Sequence, residues 1–322
     1  MFRRLMGRSP AISNKKFFAT KPQELTPKLL KDCMKFPRGF RLVVLSASAD
    51  ECSNPKYFRG FFLSLGGNNI RYWSGVAGDK WWKVKMELQL PAETLVYGEK
   101  VKEVRGEGEA QRHKVTFHII DALFLGGIDV RLEKFDERIS MINKLVKAVT
   151  KTSIVDRTSV RIKKVYDLVE IHELFDDFEM KEMKSGIIRE RLCHRVKDAW
   201  FTRPSGVLIM NGLKKPWVCK MSHSKQRIYY FNSKDDNSMF VFPKEAIADF
   251  KTSFCNSFIW KWSSDECLLE TNTKRFDSSQ VTRTTFMAHI RKMLQKTKEG
   301  ACYLIKFSLL KMLDNQEYNG LP

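Results

Sequence analysis

The stretch that most constrains the fold is Phe117 to Arg138, F-H-I-I-D-A-L-F-L-G-G-I-D-V-R-L-E-K-F-D-E-R. Val115 to Leu125 is a run of apolar and β-branched residues long enough for a central strand. Asp121 interrupts it, so its carboxylate must face either a partner or a pocket. Gly126-Gly127 supplies a turn. Phe135-Asp136-Glu137-Arg138 then opens a helix with acids in its first turn, where the helix dipole favours them. From Asp136 to Val149, the residues Ile139, Ile142, Leu145, Val146 and Val149 fall on one stripe, the spacing of a helix lying on a sheet.

Strands dominate the region before it. Arg41 to Ser46, Phe61 to Leu65, Ile70 to Trp73 and Leu95 to Val104 are β-rich runs, with Gly66-Gly67-Asn68-Asn69 as a hairpin connection. Trp81 to Glu87 alternates, which predicts one buried face. Downstream, Val160 to Tyr166 and Gly206 to Met210 read as strands and Leu168 to Met180 as a second helix. Phe254 to Trp262 reads as a strand returning to the main domain, and Ser279 caps a helix running to about Leu294. The pattern is α+β, with antiparallel sheets and flanking helices.

Lys214 to Pro243 changes character: Trp217, then Tyr229-Tyr230-Phe231-Asn232, then Ser238, Phe240 and Pro243. In a strand, Tyr229 and Phe231 face one side and Tyr230 the other. Tyr230 then closes a small core with Trp217 and Pro243, while Tyr229, Phe231 and Phe240 line the opposite face. This pattern resembles a WW domain, a small three-stranded sheet whose aromatic groove accepts proline-rich segments. Phe240 stands where such domains carry their second tryptophan, and Ser233 where their groove histidine sits.

The strand ending in Ile120-Asp121, its short extension and the F-x-x-R of Phe135 to Arg138 resemble the central strand of the nucleotidyltransferase fold of mRNA guanylyltransferases. The closer resemblance is to the guanylyltransferase-like region of the cap 1 mRNA 2'-O-methyltransferase family, beginning near Lys21 and covering most of the chain. It implies a guanylyltransferase-like domain over 21–213, a WW-like domain over 214–244, and a returning strand and helix over 245–296. A basic segment, 1–20, precedes them and a tail, 297–322, follows.

The family's nucleotide chemistry is not repeated in these motifs. A guanylyltransferase needs a desolvated lysine in a K-x-D-G setting, and no K-x-D-G occurs; the nearest candidate is Lys56-Tyr57-Phe58-Arg59-Gly60. The acidic D-G-E motif corresponds to Tyr97-Gly98-Glu99, and the later D/E-G-L-I-F strand to Ser205-Gly206-Val207-Leu208-Ile209. Leu65-Gly66-Gly67 and Leu125-Gly126-Gly127 read as turns rather than as a loop for S-adenosylmethionine, and Gly106-Glu107-Gly108 carries a repelling carboxylate. The expectation is therefore no catalytic residue, no metal site and no cofactor on this chain. S-adenosylmethionine would belong to the family's methyltransferase domain, in cis or in trans.

The 57 basic against 37 acidic residues, a formal +20, favour a polyanionic neighbour. Lys163-Lys164, Lys181 to Lys184 and Lys214-Lys215 are candidate RNA-facing charges. The resemblance implies capped mRNA and the phosphorylated C-terminal tail of RNA polymerase II as partners, with work in the nucleus. Arg3, Arg4, Arg8, Lys15 and Lys16, with no acid before Glu24, also fit a mitochondrial presequence. A residual nucleotidyltransferase or nucleotide-binding protein and a mitochondrial RNA-associated structural protein are the rival expectations. Seven cysteines without a C-x-x-C pair read as reduced thiols. No apolar run approaches the ~20 residues that span a bilayer, which argues against a membrane partner.

Overall fold

A computed structural model describes residues 22–261, apart from 27–28, 30–31, 34, 48–57, 77–78, 151–157, 185–189 and 256. Hydrogen bonding sorts its strands into sheets of ten, five and three. The spine of the largest is Arg112–Leu125, whose last ten residues are all buried. It pairs antiparallel with Thr94–Arg105 along its length and parallel with Ser159–Ile162. It then folds back on Ile128–Asp129 through Gly126 and Gly127, at φ 59° and 86°. A two-residue hairpin turn of this hand needs positive φ at both positions, so the glycine pair is required here.

Helix Phe135–Val149 lies on this sheet as its periodicity predicts. Ile142 is fully buried, and Ile139, Leu145, Val146 and Val149 pack on the same apolar cluster. The five-stranded sheet runs Gln23–Glu24, Phe258–Lys261, Pro204–Asn211, Phe40–Ser46, Val165–Asp167. Alternation along two of its strands builds the core between layers. Val43, Leu45, Leu208 and Met210 join Phe61, Leu63, Leu95, Tyr97 and Phe124 of the large sheet. Leu42, Val44, Val207 and Ile209 face the other way, onto Leu25, Cys33 and Tyr166. A short helix, Phe250–Cys255, sets Phe254 against Tyr97 at 4.6 Å between ring centres and against Phe250 at 5.6 Å.

The structure corrects three sequence-based assignments. Val160 to Tyr166 is not one strand: Ser159–Ile162 belongs to the large sheet and Val165–Asp167 to the five-stranded sheet. The chain breaks at Lys163 because that side chain turns inward to a buried carboxylate. The helix expected over Leu168 to Met180 is a 3-10 turn, Leu168–Glu170, followed by Ile171–Asp176. Phe178–Glu182 is already a strand, drawn into the large sheet by pairing with Glu190–Lys197. The returning strand begins at Phe258, and Phe254 sits in the helix before it. The segments 1–20 and 297–322, the helix from Ser279, and Lys56 all lie outside the described residues.

Gly60 and Gly98 are direct cross-strand partners. A Cβ on Gly60 would lie 2.5 Å from the Trp73 carbonyl oxygen and 2.8 Å from the Tyr72 ring; one on Gly98 would lie 2.5 Å from the His118 carbonyl oxygen and 2.9 Å from the Phe117 ring. The missing side chains let Tyr72 and Phe117 fold over the sheet, each edge-on to Phe62. Gly98→Ala therefore overpacks a site walled partly by backbone. Urea denaturation is expected to show a loss of about 3 kcal/mol, with an unchanged m-value.

Candidate functional site

Among the described residues, two places gather chemistry-bearing side chains. The first is a buried ionic interior where the motif positions Glu99 and Ser205 converge. The Glu99 carboxylate, fully buried, accepts from Lys163 Nζ at 2.5 Å, Arg59 Nε at 2.9 Å and the Ser46 backbone N–H at 3.0 Å. Lys163 Nζ also donates to the Ser46 hydroxyl at 2.7 Å. Arg59 reaches the Ser46 carbonyl at 2.7 Å and the Ser205 hydroxyl at 3.2 Å. Burial alone would push the Glu99 carboxyl up, but Lys163 and Arg59 outweigh it and hold it at about 2. Burial lowers the Lys163 ammonium against the pull of Glu99.

A second carboxylate, Glu103, is held beside it by His118 Nε2 at 2.7 Å and Arg161 Nε at 2.7 Å. Here too burial is overcome, and the carboxyl sits at about 2. Burial and Lys163 push the His118 imidazole down to about 4 in spite of Glu103. Further along, Tyr166 donates to Asp177 at 2.7 Å, so His194 Nε2, also at 2.7 Å, must donate to the Tyr166 hydroxyl. Burial and nearby lysines hold His194 neutral, well below its ordinary value.

Asp121 faces a partner rather than a pocket. Arg138 grips it with two parallel bonds of 2.8 Å, and the Ala122 N–H adds a third contact at 2.7 Å. Arg138 also donates to the Glu133 carbonyl at 2.6 Å, so one buried guanidinium ties the helix to the central strand. Of the lysines expected to face RNA, Lys163 is buried in the Glu99 pair and is corrected to a structural role. Lys164 meets Asp177 at 2.6 Å, and Lys181 meets both Glu107 and Glu179 at 2.9 Å. Lys214 and Lys215 remain exposed. Nor do the two Gly-Gly pairs open a path for S-adenosylmethionine. Both close hairpins, and Glu93 Oε2 lies 2.8 Å from where a Cβ on Gly127 would sit.

The second place is the three-stranded sheet of Trp217–Ser222, Arg227–Asn232 and Ser238–Met239. Its register pairs Val218 with Phe231, Cys219 with Tyr230 and Lys220 with Tyr229. Cross-strand partners share a face. Trp217, Cys219 and Tyr230 therefore point one way, onto Leu213, Ala246, Met239 and Phe242. The ring that meets Tyr230 is Phe242, at 4.9 Å and edge-on; Pro243 is buried beside it. Asn232 accepts from the Lys234 N–H at 2.9 Å and donates to Asp235 at 3.0 Å, shaping the next turn.

Tyr229, Phe231 and Phe240 carry the other face, half-buried, with Tyr229 and Phe240 6.0 Å apart. Cations sit on these rings. Lys220 Nζ lies 4.1 Å from Phe231, and Lys225 and Arg227 lie 4.7 Å and 5.6 Å from Phe240. Sequence reasoning found the three aromatic residues but not these cations. The alternation that aligned the rings places Lys220 beside them, so a signal was present.

The ionic interior makes stability depend on acid in a stated direction. Glu99 and Glu103 are depressed in the fold, so their contribution is full above the ordinary carboxylate range and is lost as pH falls toward 2. His118, neutral in the fold down to about 4, is protonated in the unfolded chain below its ordinary 6.5. Acid therefore favours unfolding in that higher window first. The melting temperature is expected to fall steadily from pH 7 to 4, with His118 accounting for on the order of 3 kcal/mol. His118→Gln, which keeps a donor for Glu103, should flatten that slope in a fluorimetric pH series.

No family model matches the chain. It is 34% identical over 278 residues to cap-specific mRNA (nucleoside-2'-O-)-methyltransferase 1 of Xenopus laevis, covering 86% of this chain and 32% of that protein. The Mus musculus protein of the same name is 38% identical over 202 residues, 63% of this chain and 24% of its own length. The Homo sapiens protein is 33% identical over 231 residues, 72% and 28% respectively. The chain spans about a third of the length of the Xenopus relative and less of the other two. Over most of its own residues, this chain is homologous to a portion of cap-specific mRNA (nucleoside-2'-O-)-methyltransferase 1.

Proposed function

We propose that this chain is a non-catalytic, guanylyltransferase-like scaffold with a WW-like module, serving mRNA cap methylation by recruitment. Methyl transfer from S-adenosylmethionine belongs, in this reading, to a methyltransferase domain supplied in cis or in trans. The chain contributes contacts to capped mRNA and to the phosphorylated, proline-containing tail of RNA polymerase II, in the nucleus. The names of its relatives support the cap methylation context.

The observation that carries recruitment is the cation-rimmed aromatic face of the three-stranded sheet. Tyr229, Phe231 and Phe240 offer flat apolar surface for proline rings, whose polyproline II backbone is already extended and loses little entropy on binding. Lys220, Lys225 and Arg227 have no ion pair among the described residues and stand ready for phosphate. A non-catalytic role is supported by the ionic interior. Glu99, the one acid kept from the D-G-E motif, is fully buried and held by Lys163, Arg59 and Ser46 rather than turned toward open solvent. The +20 charge adds long-range attraction for RNA and phosphorylated tail alike.

Titration of the purified chain with a phosphorylated tail peptide and with capped RNA, across a salt series, tests this reading. Tyr229→Ala should weaken the peptide about 30-fold, the loss of one aromatic anchor, and leave RNA affinity unchanged. Binding of RNA alone, with steep salt dependence, would instead make the chain an electrostatic RNA scaffold.

A further inference from the structure

The three-stranded sheet does not stand clear of the rest of the molecule. Between it and the main domain lies a cleft of about 500 Å³. Pro216, Val218 and Ser233 line it from the small sheet, and Leu29, Phe36 and Phe40 from the main domain. Val218, the cross-strand partner of Phe231, carries the aromatic face to the cleft's edge, where Trp217 and Cys219 line it from the sheet's other face. Lys220 marks the join. Its ammonium lies 4.1 Å from the Phe231 ring and 5.3 Å from the Phe36 ring. Lys35 and Lys215 add two exposed cations at the cleft, where the acid is Asp32, already held by Lys35 at 2.8 Å.

We propose that this cleft is the second half of the peptide groove, holding the continuation of a phosphorylated, proline-containing peptide whose first half lies on Tyr229, Phe231 and Phe240. The inference rests on the recruitment reading above and adds to it a subsite made jointly by two parts of the chain. Phe36 and Val218 take an apolar or proline residue of the continuation. Lys215 and Lys220 take its phosphate. Charge complementarity selects this occupant: the apolar walls fit proline, and the surplus of lysine over acid fits a phosphorylated chain. A single small sheet offers a shallow face, whereas the cleft gives walls on both sides and lets bound length become affinity.

The experiment is calorimetric titration of the full chain with two phosphorylated, proline-containing peptides. One covers the aromatic face, and the other is longer by about seven residues, roughly 20 Å of polyproline II. The longer peptide is expected to bind at least tenfold tighter. Phe36→Ala and Lys215→Glu should each abolish that advantage while leaving the short peptide's affinity unchanged. Tyr229→Ala should weaken both peptides. Equal affinity for the two peptides in the unaltered chain overturns the cleft proposal and leaves recruitment standing. Failure of both peptides overturns the two readings together. Displacement of the longer peptide's extra affinity by capped RNA assigns the cleft to RNA and overturns the proposal. So does a concentration-dependent dimer, in sedimentation, that Phe36→Ala dissolves. If Phe36→Ala weakens both peptides alike, the exposed Lys215→Glu decides.

Discussion

A carboxylate with no exposure to water is the constraint on which this architecture turns. Glu99 sits on a strand of the ten-stranded sheet, but its partners come from elsewhere. Ser46 belongs to the five-stranded sheet, and Lys163 to the link between a strand of one sheet and a strand of the other. Arg59 extends the network to Ser205, again across the sheets. Hydrophobic contact between the layers is nondirectional and would tolerate sliding. A buried charge would not, because breaking any one bond leaves the rest uncompensated. The network thus fixes the register between sheets that apolar packing alone leaves loose.

The same interior explains which parts of the fold were legible in the sequence. The run Val115 to Leu125, the Gly126-Gly127 turn and the stripe of helix Phe135–Val149 follow from local periodicity and turn chemistry, and they form as expected. Lys163-Lys164 carries no local sign of burial. Two adjacent lysines look like a solvated surface, and only Glu99, sixty-four positions away, makes one of them internal. Because Lys163 turns inward, the β-rich run from Val160 to Tyr166 splits between two sheets. Strand Phe178–Glu182 was hidden for a related reason. Its pairing with Glu190–Lys197 overrode a stretch whose composition suits a helix.

On the candidate binding surface, alternation alone sorted Tyr230 and Trp217 from Tyr229 and Phe231, because a strand offers only two faces. The ring that packs on Tyr230 was less accessible to such reasoning. Phe242 and Pro243 are neighbours in an irregular segment, where no period decides which one turns inward. Phe36 was beyond reach altogether. It joins the groove from nearly two hundred residues away, and nothing near it in sequence marks it as part of a binding surface.

The way the small sheet is anchored bears on how it can bind. Three strands need a covered apolar face to be stable in water, and this sheet covers its own partly with residues outside its strands. Leu213 and Ala246, outside its strands, pack on Trp217 and Cys219. Leu213 bridges to Ile247, and the Lys214 N–H donates to the Ala246 carbonyl at 3.0 Å. From the main domain, Lys134 lies 4.4 Å from the Phe242 ring. These ties hold the aromatic face at a set angle to Phe36 and Phe40. A tethered module would lose orientational freedom on gripping one peptide across both surfaces; here that freedom is already gone before the ligand arrives. The borrowed core and the shared groove are two consequences of one arrangement, in which the small sheet was built against the larger domain rather than beside it.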